Sequence, residues 1–248
     1  LLRYALGLSA WKSFRDARWA LRVNPSSGNL HPTEAYVVTR GRVWHYAPDV
    51  HALEERCRFD EEAWTGLFGA DVDGSQSCLI VLTSIAWREA WKYGERAFRY
   101  CQHDTGHAIA ALSISAGFLG WRCRLADAWT HAQLAALTGV ERSADFLEAE
   151  PEEPACALLI TASDATAAAG LAPNDAFVAA VRDGTWTGLA SQLSEDHVQW
   201  TIIDSVTTAS RAHGPGFPAR NEGDHDDHED NGASGDTNGA ARRPVFSQ

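Results

Sequence analysis

Methionine is absent from all 248 residues of this chain. Two readings stay open. The chain begins inside a longer protein, or methionine positions have dropped out of the sequence and true spacings are slightly longer than they look. Cysteine is sparse and unpatterned: Cys57, Cys78, Cys101, Cys123 and Cys156 are odd in number and widely spaced, with no Cys-x-x-Cys pair. That indicates neither a zinc site nor a disulfide framework, and fits reduced thiols buried as small apolar residues. No run approaches the ~20 apolar residues that span a bilayer, and no charged-then-apolar leader opens the chain. A cytoplasmic protein without membrane partners is therefore expected. Basic charge is short as well, 21 Lys and Arg against 33 Asp and Glu, for a net charge of −12. Seven of the carboxylates crowd into residues 222–236 without one Lys or Arg, and −5 remains once they are set aside. The acidity is mainly a tail property, and it argues against nucleic acid as a partner, which requires a basic surface.

What is present is a globular composition, with 45% hydrophobic residues. Leu1–Ser9 reads as the end of an apolar helix. Ala35–Thr39 and Val43–Tyr46 form a hairpin turned at Gly41. Ala52–Trp64 has charged and apolar residues at helical spacing. Ser77–Ile85 is apolar and β-branched enough for a buried central strand. A core helix is expected over His103–Leu119, a short strand over Trp121–Leu125, and a helix over His131–Thr138 stopped by Gly139. Ala155–Thr161 reads as a strand, and Asp175–Arg182 and Gly188–Val206 as helices. This order predicts an α+β layer fold. Residues 1–211 make one domain. Residues 212–239 are too poor in large apolar residues to offset their ordering entropy and read as an acidic disordered linker. Residues 240–248 regain apolar and basic character, as the possible start of a further segment.

The most informative stretch is Pro25-Ser-Ser-Gly-Asn-Leu-His-Pro-Thr33, with Arg22 just before it. Gly28 permits close backbone approach or positive φ, Ser26, Ser27 and Asn29 can donate hydrogen bonds, and Arg22 can pair with a phosphate. From these residues alone the loop is an anion- or polyol-binding turn or an ordinary capped turn. The string resembles the flavin-contacting Pro-Ser-Ser-x-Asn segment of the nitroreductase fold, and more narrowly its SagB-type dehydrogenase branch. A second run resembles the same branch: Lys92-Tyr-Gly-Glu-Arg-Ala-Phe-Arg-Tyr100, then Asp104-Thr-Gly-His107 and an apolar helix ending Gly117-Phe-Leu-Gly-Trp121. Together the two cover roughly residues 1–162.

The resemblance implies a mixed central β-sheet flanked by helices, with one long central helix. It also implies FMN as cofactor and a homodimer or tandem pseudo-dimer, since a second subunit generally completes the flavin site. It places Arg22, Pro25, Ser26, Ser27 and Asn29 at the cofactor, with Leu119 and Gly120 passing backbone near the flavin ring. In azoline oxidases of this branch a Lys-Tyr pair removes a proton while hydride passes to flavin, which assigns Lys92 and Tyr93 as the catalytic pair on a small or peptide-borne heterocycle. The chemistry suits these types, because aromatising a thiazoline or oxazoline breaks two C–H bonds, one as hydride and one as proton, and a lysine withdrawn from water can act as base. The tryptophans Trp11, Trp19, Trp87 and Trp91 read as core or interface anchors. His103 and His107 share a helical face without an obvious third ligand, so no metal is assigned. Two departures stand out. The family's Arg-Arg-Ser-like phosphate motif falls on a first helix upstream of where this chain begins, and no basic residue follows Ala155–Thr161 in Ala162-Ser-Asp-Ala-Thr-Ala-Ala-Ala169. The alternatives are a general NAD(P)H-dependent flavin nitro or quinone reductase, and a degenerate flavin-less domain that supports a catalytic partner.

Overall fold

A computed structural model describes residues 1–68, 76–162, 172–196 and 198–212. In chain order the elements are helix α1 (Leu2–Ala5), strands β1 (Leu8–Phe14), β2 (Ala17–Arg22), β3 (Thr33–Thr39), β4 (Arg42–Ala47) and β5 (Ala52–Arg58), then helix α2 (Glu61–Phe68). Strand β6 (Ser77–Ser84), helices α3 (Trp87–Tyr93) and α4 (Ala97–Phe118), strand β7 (Arg122–Leu125), helix α5 (His131–Thr138) and strand β8 (Glu153–Thr161) follow. Helix α6 (Asp175–Arg182), the two-residue strand β9 (Thr185–Trp186) and helix α7 (Thr201–Ala209) complete the described chain.

Seven strands make one sheet in the order β7-β8-β6-β3-β4-β5-β9, while β1 and β2 pair apart as a two-stranded ribbon. The α+β class and the long helix stand as expected. The sheet is more uniform than the resemblance implied: among the described residues every ladder is antiparallel. Strand β6 is central and buried from Leu79 to Ser84. Leu79 and Val81 point into one apolar layer with Trp64, Leu137 and Phe177, and Ile80 and Leu82 into the other with Leu6, Ala108 and Leu112. Each such side chain contributes about 1.5–3 kcal/mol by leaving water. Helices α1 and α4 cover one face; α2, α5 and α6 cover the other. No described helix is long and apolar enough to cross a membrane.

The β3–β4 hairpin turns at Arg40-Gly41, with Gly41 at φ 75°. Gly139 ends α5 in the left-handed region, as expected. Three expectations fail. Leu1–Ser9 is helical only over Leu2–Ala5, and Leu8 already pairs with Arg22. Ala52–Trp64 begins as strand β5, because its charged residues satisfy partners across the ladder, Glu55 from Arg42 at 3.0 Å and Glu54 with His45 at 2.9 Å; only Glu61 onward is helical. Over Gly188–Val206 helix appears only from Thr201. The amides of Leu193 and Ser194 are taken by the Glu150 carboxylate at 2.8 Å each, which removes them from any helical ladder. The expectations for Ala162–Ala169 beyond Ala162, for the linker beyond Ala212 and for 240–248 lie outside the described residues.

Candidate functional site

The loop from Pro25 to His31 is wound tightly. Gly28, Asn29 and His31 have φ of 60°, 61° and 50°. Two of the three are not glycine, and each such residue costs on the order of 1–3 kcal/mol unless its surroundings hold it. The surroundings do hold it. The buried Asp104 carboxylate on α4 accepts from Ser26 Oγ at 2.6 Å, from Ser27 Oγ at 3.0 Å and from the Ser27 amide at 3.0 Å. Ser26 Oγ accepts from the His31 amide at 2.8 Å. Asn29 Nδ2 donates to the Ala20 carbonyl at 2.9 Å, which fixes its amide so that Oδ1 accepts from His31 Nε2 at 2.9 Å. His31 Nδ1 is then the bare nitrogen, buried without a partner. Burial, with the Arg22 charge second, pushes His31 down to about 4, so it is neutral.

The second sequence run lies against the same loop. A methyl group built on Gly28 would stand 2.5 Å from Tyr93 Oη and 2.8 Å from Lys92 Nζ, so only glycine leaves room for the pair. Lys92 Nζ sits 5.2 Å from the centre of the Tyr93 ring, which in turn packs on Tyr100 with centroids 4.5 Å apart. Lys92 is exposed and Tyr93 half-buried, at the end of α3 where Gly94 takes φ 57°. Under them Glu89 is fully buried. Burial first, then the Asp104 charge, push its carboxyl up to about 8 against the pull of Lys92, so Glu89 holds a proton at neutral pH.

Arg22 behaves differently from its expected phosphate role. Its Nη1 donates to the Thr33 carbonyl at 3.3 Å, and Nη2 lies 4.0 Å from the buried Glu34 carboxylate. Burial lowers the Arg22 guanidinium from its ordinary value, opposed by Glu34. Arg88 ties the two segments together, donating to the His31 carbonyl at 2.8 Å and to Glu34. Burial alone would raise Glu34, but the hydrogen bond with His45 and the Arg88 and Arg22 charges outweigh it and bring it to about 2. The reverse holds for His45: burial would lower it, and its bonds to Glu34 and Glu54 lift it to about 8.

The structure therefore brings Ser26, Ser27, Asn29, Lys92 and Tyr93 together, with Arg22 behind them and Pro25 exposed at the loop's entry. Leu119 and Gly120 are not part of this cluster. They are exposed at the far end of α4, fifteen residues and about 22 Å of helix from Asp104. His107 Nδ1 lies 3.8 Å from Asp104, and His103 packs edge-on to Tyr100. Sequence reasoning assigned no role to Asp104, Glu89, Glu34 or Arg88. Asp104 had a signal in the Asp-x-Gly-His run; Glu34 and Arg88 had none, since their partners are brought together by sheet pairing.

A cavity of about 370 Å³ opens at the same end of the sheet, flanking α4. Trp129 and Phe98 wall it, and His131, Glu153 and Arg211 form its polar side, with Glu153 accepting from Arg211 at 2.9 Å. Ser84 and Arg211 are among its lining residues, and Ser84 Oγ and Arg211 Nε are buried without hydrogen-bond partners. Room of this size, with aromatic walls and a polar side, fits a planar, oxygen-rich group such as a flavin. The loop fits such a group less well, because most of its donors are already engaged; Asn29 keeps one amide hydrogen, and Lys92 and Tyr93 remain for a ligand.

No family model and no curated protein matches the chain. Among solved structures, one described as a nitroreductase from Anabaena variabilis aligns at 20% identity with a TM-score of 0.60, over 87% of this chain and 42% of that one. The E. coli microcin synthetase McbBCD complex aligns at 19% identity and TM-score 0.49, over 66% of this chain and 61% of the other. A structure described as a nitroreductase from Ralstonia eutropha gives 18%, 0.43, 56% and 62%. This chain spans less than two thirds of each of these chains. The first alignment carries the architecture and no activity: the chain has the nitroreductase fold.

Proposed function

We propose that this domain is an FMN-dependent oxidoreductase, of the SagB-type dehydrogenase kind, acting on a small or peptide-borne heterocycle. One observation carries the reading: two motifs more than sixty residues apart meet in contact, Gly28 of the loop against Lys92 and Tyr93 of α3. Bound FMN would supply the two-electron acceptor. The chain's own residues do the rest. Arg211 and Ser84 line the cavity that would take the cofactor, and Asn29 offers its spare N–H. Lys92 Nζ, exposed until bound substrate covers it, then takes the proton from the substrate carbon, with Tyr93 Oη beside it to orient or relay that proton. Ser26, Ser27 and Asp104 hold the loop so that this pair keeps its place. Leu119 and Gly120 reach a flavin only from a second copy or a tandem partner domain, which is the form in which we expect the site to be complete.

Lys92→Ala should abolish dehydrogenation of a thiazoline or oxazoline substrate while FMN retention stays at the wild-type level. Unchanged turnover would remove Lys92 from the reaction.

A second reading is favoured by the engagement of Ser26, Ser27 and Arg22 within the protein. In that reading the domain holds no flavin and supports a catalytic partner. Failure of the purified chain to retain FMN would favour it.

A further inference from the structure

The β1–β2 ribbon stands apart from the main sheet, and a lone two-stranded hairpin is marginal in water unless something packs on it. Nine of its thirteen residues are exposed, including three aromatics: Trp11 at 54%, Phe14 at 64% and Trp19 at 39%. The register divides them between the two faces. Trp11 and Ser13 share one face with Arg18 and Ala20; Lys12 and Phe14 share the other with Trp19 and Ala17.

Cations accompany the aromatics. The Arg18 guanidinium lies 4.3 Å from the Trp11 ring centre, and Arg15 lies 5.2 Å from that of Phe14. Lys12, Arg15 and Arg18 face a single acid, Asp16, in a chain whose net charge is −12. The hairpin is thus a basic, aromatic projection on an acidic protein. Exposed aromatic area of this kind marks an interaction surface.

The two edges of the ribbon are not equivalent. On the β2 side the Ala20 carbonyl is taken by Asn29, whereas the Ser9 Oγ bonds to the Leu21 and Arg22 carbonyls run between the two strands at the β1 bulge. On the β1 side, Ala10 to Phe14 show no backbone partner other than β2 among the described residues. A strand added there would meet Trp11 and Ser13 on one face and Lys12 and Phe14 on the other. Ser13 is small enough to leave Arg18 within reach across it.

From this geometry we infer that the free edge of β1 binds an extended acidic peptide by strand addition. Main-chain hydrogen bonds along Ala10–Phe14 give affinity, and Lys12 on one face, Arg18 on the other and Arg15 at the turn select for carboxylates. The Asn29–Ala20 bond joins the opposite, β2 edge of this ribbon to the loop against Lys92 and Tyr93, so a peptide docked on β1 lies two strand spacings, about 10 Å, from that edge. That the docked peptide is the substrate rests on the proposed function; the docking itself does not.

The test is fluorescence anisotropy on the full chain, with a labelled peptide of about a dozen residues alternating Glu and Val, and its Gln counterpart. The Glu peptide should bind at least roughly tenfold tighter than the Gln peptide, and the difference should shrink as salt rises. Arg15→Glu with Arg18→Glu should cost at least about tenfold in Kd, and Trp11→Ala should weaken both peptides. Equal binding of the two peptides, no binding, or binding indifferent to these changes would overturn the inference. So would sedimentation showing a wild-type dimer that the hairpin changes convert to monomer, since a second copy would then occupy the edge. Should a variant not fold, hydrogen exchange on the wild type decides: the Ala10–Phe14 amides should slow when peptide is added, and unchanged exchange contradicts strand addition. FMN retention, read on the same samples, separates failure of this inference from failure of the flavin assignment.

Discussion

Replacing Asp104 by alanine strips the loop of the acceptor that holds it. Three donors lose their partner at once: Ser26 Oγ, Ser27 Oγ and the Ser27 amide, bonded at 2.6, 3.0 and 3.0 Å. Each hydrogen bond to a buried carboxylate is worth about 1.5–3 kcal/mol when only one partner is removed. Two effects reduce the total. The loop is only part-buried, so water recovers some of the freed donors, and removing Asp104 relieves the like charge next to Glu89. A net loss of about 2–4 kcal/mol remains, less than the bare sum of three bonds. For a domain of this size that is a fall in Tm of about 5–15 °C. Thermal unfolding by circular dichroism measures it, with Ser26→Ala plus Ser27→Ala as the second arm of a double-mutant cycle. The three substitutions together should cost little more than Asp104→Ala alone, because they remove the same bonds. Full additivity, or a Tm change within about 2 °C for Asp104→Ala, would refute the clamp.

Gly28→Ala places a methyl group at φ 60° against Tyr93 Oη and Lys92 Nζ. It should displace the pair and reduce turnover more than it reduces FMN retention; equal activity to wild type would show that the contact is not needed. Stability should fall as pH rises through the raised His45 value of about 8, because the folded protein holds that proton and the unfolded chain releases it near 6.5. His45→Gln should flatten the Tm profile between about pH 6.5 and 8, and an unaltered slope in that window would contradict the Glu34–His45–Glu54 bridge.

Much of the architecture is legible from local pattern. Leu79–Leu82 at the centre of β6 is apolar throughout because both its faces are covered, and Thr130 and Gly139 bracket α5 with a capping box and a left-handed cap. Strand β5 was illegible for a physical reason. Its Glu54, Glu55 and Arg58 mimic an exposed helix face, and only the cross-strand partners on β4 reveal a strand. At the site, the two motifs were readable one at a time, and their meeting was not. Asp104 joins them across seventy-seven residues, and Arg88 and Glu34 bond only because β3 and β6 pair. The role of Arg22 was also hidden. A guanidinium near a Ser-rich loop suits phosphate, yet here a buried carboxylate holds it.

The central claim is that this domain works with flavin, and the most direct measurement is the absorbance spectrum of the purified chain, mixed with FMN and then desalted. The account predicts flavin bands that survive desalting and weaken when Arg211 is changed to alanine. A colourless protein that releases all added FMN would contradict it and leave the domain as a partner's support.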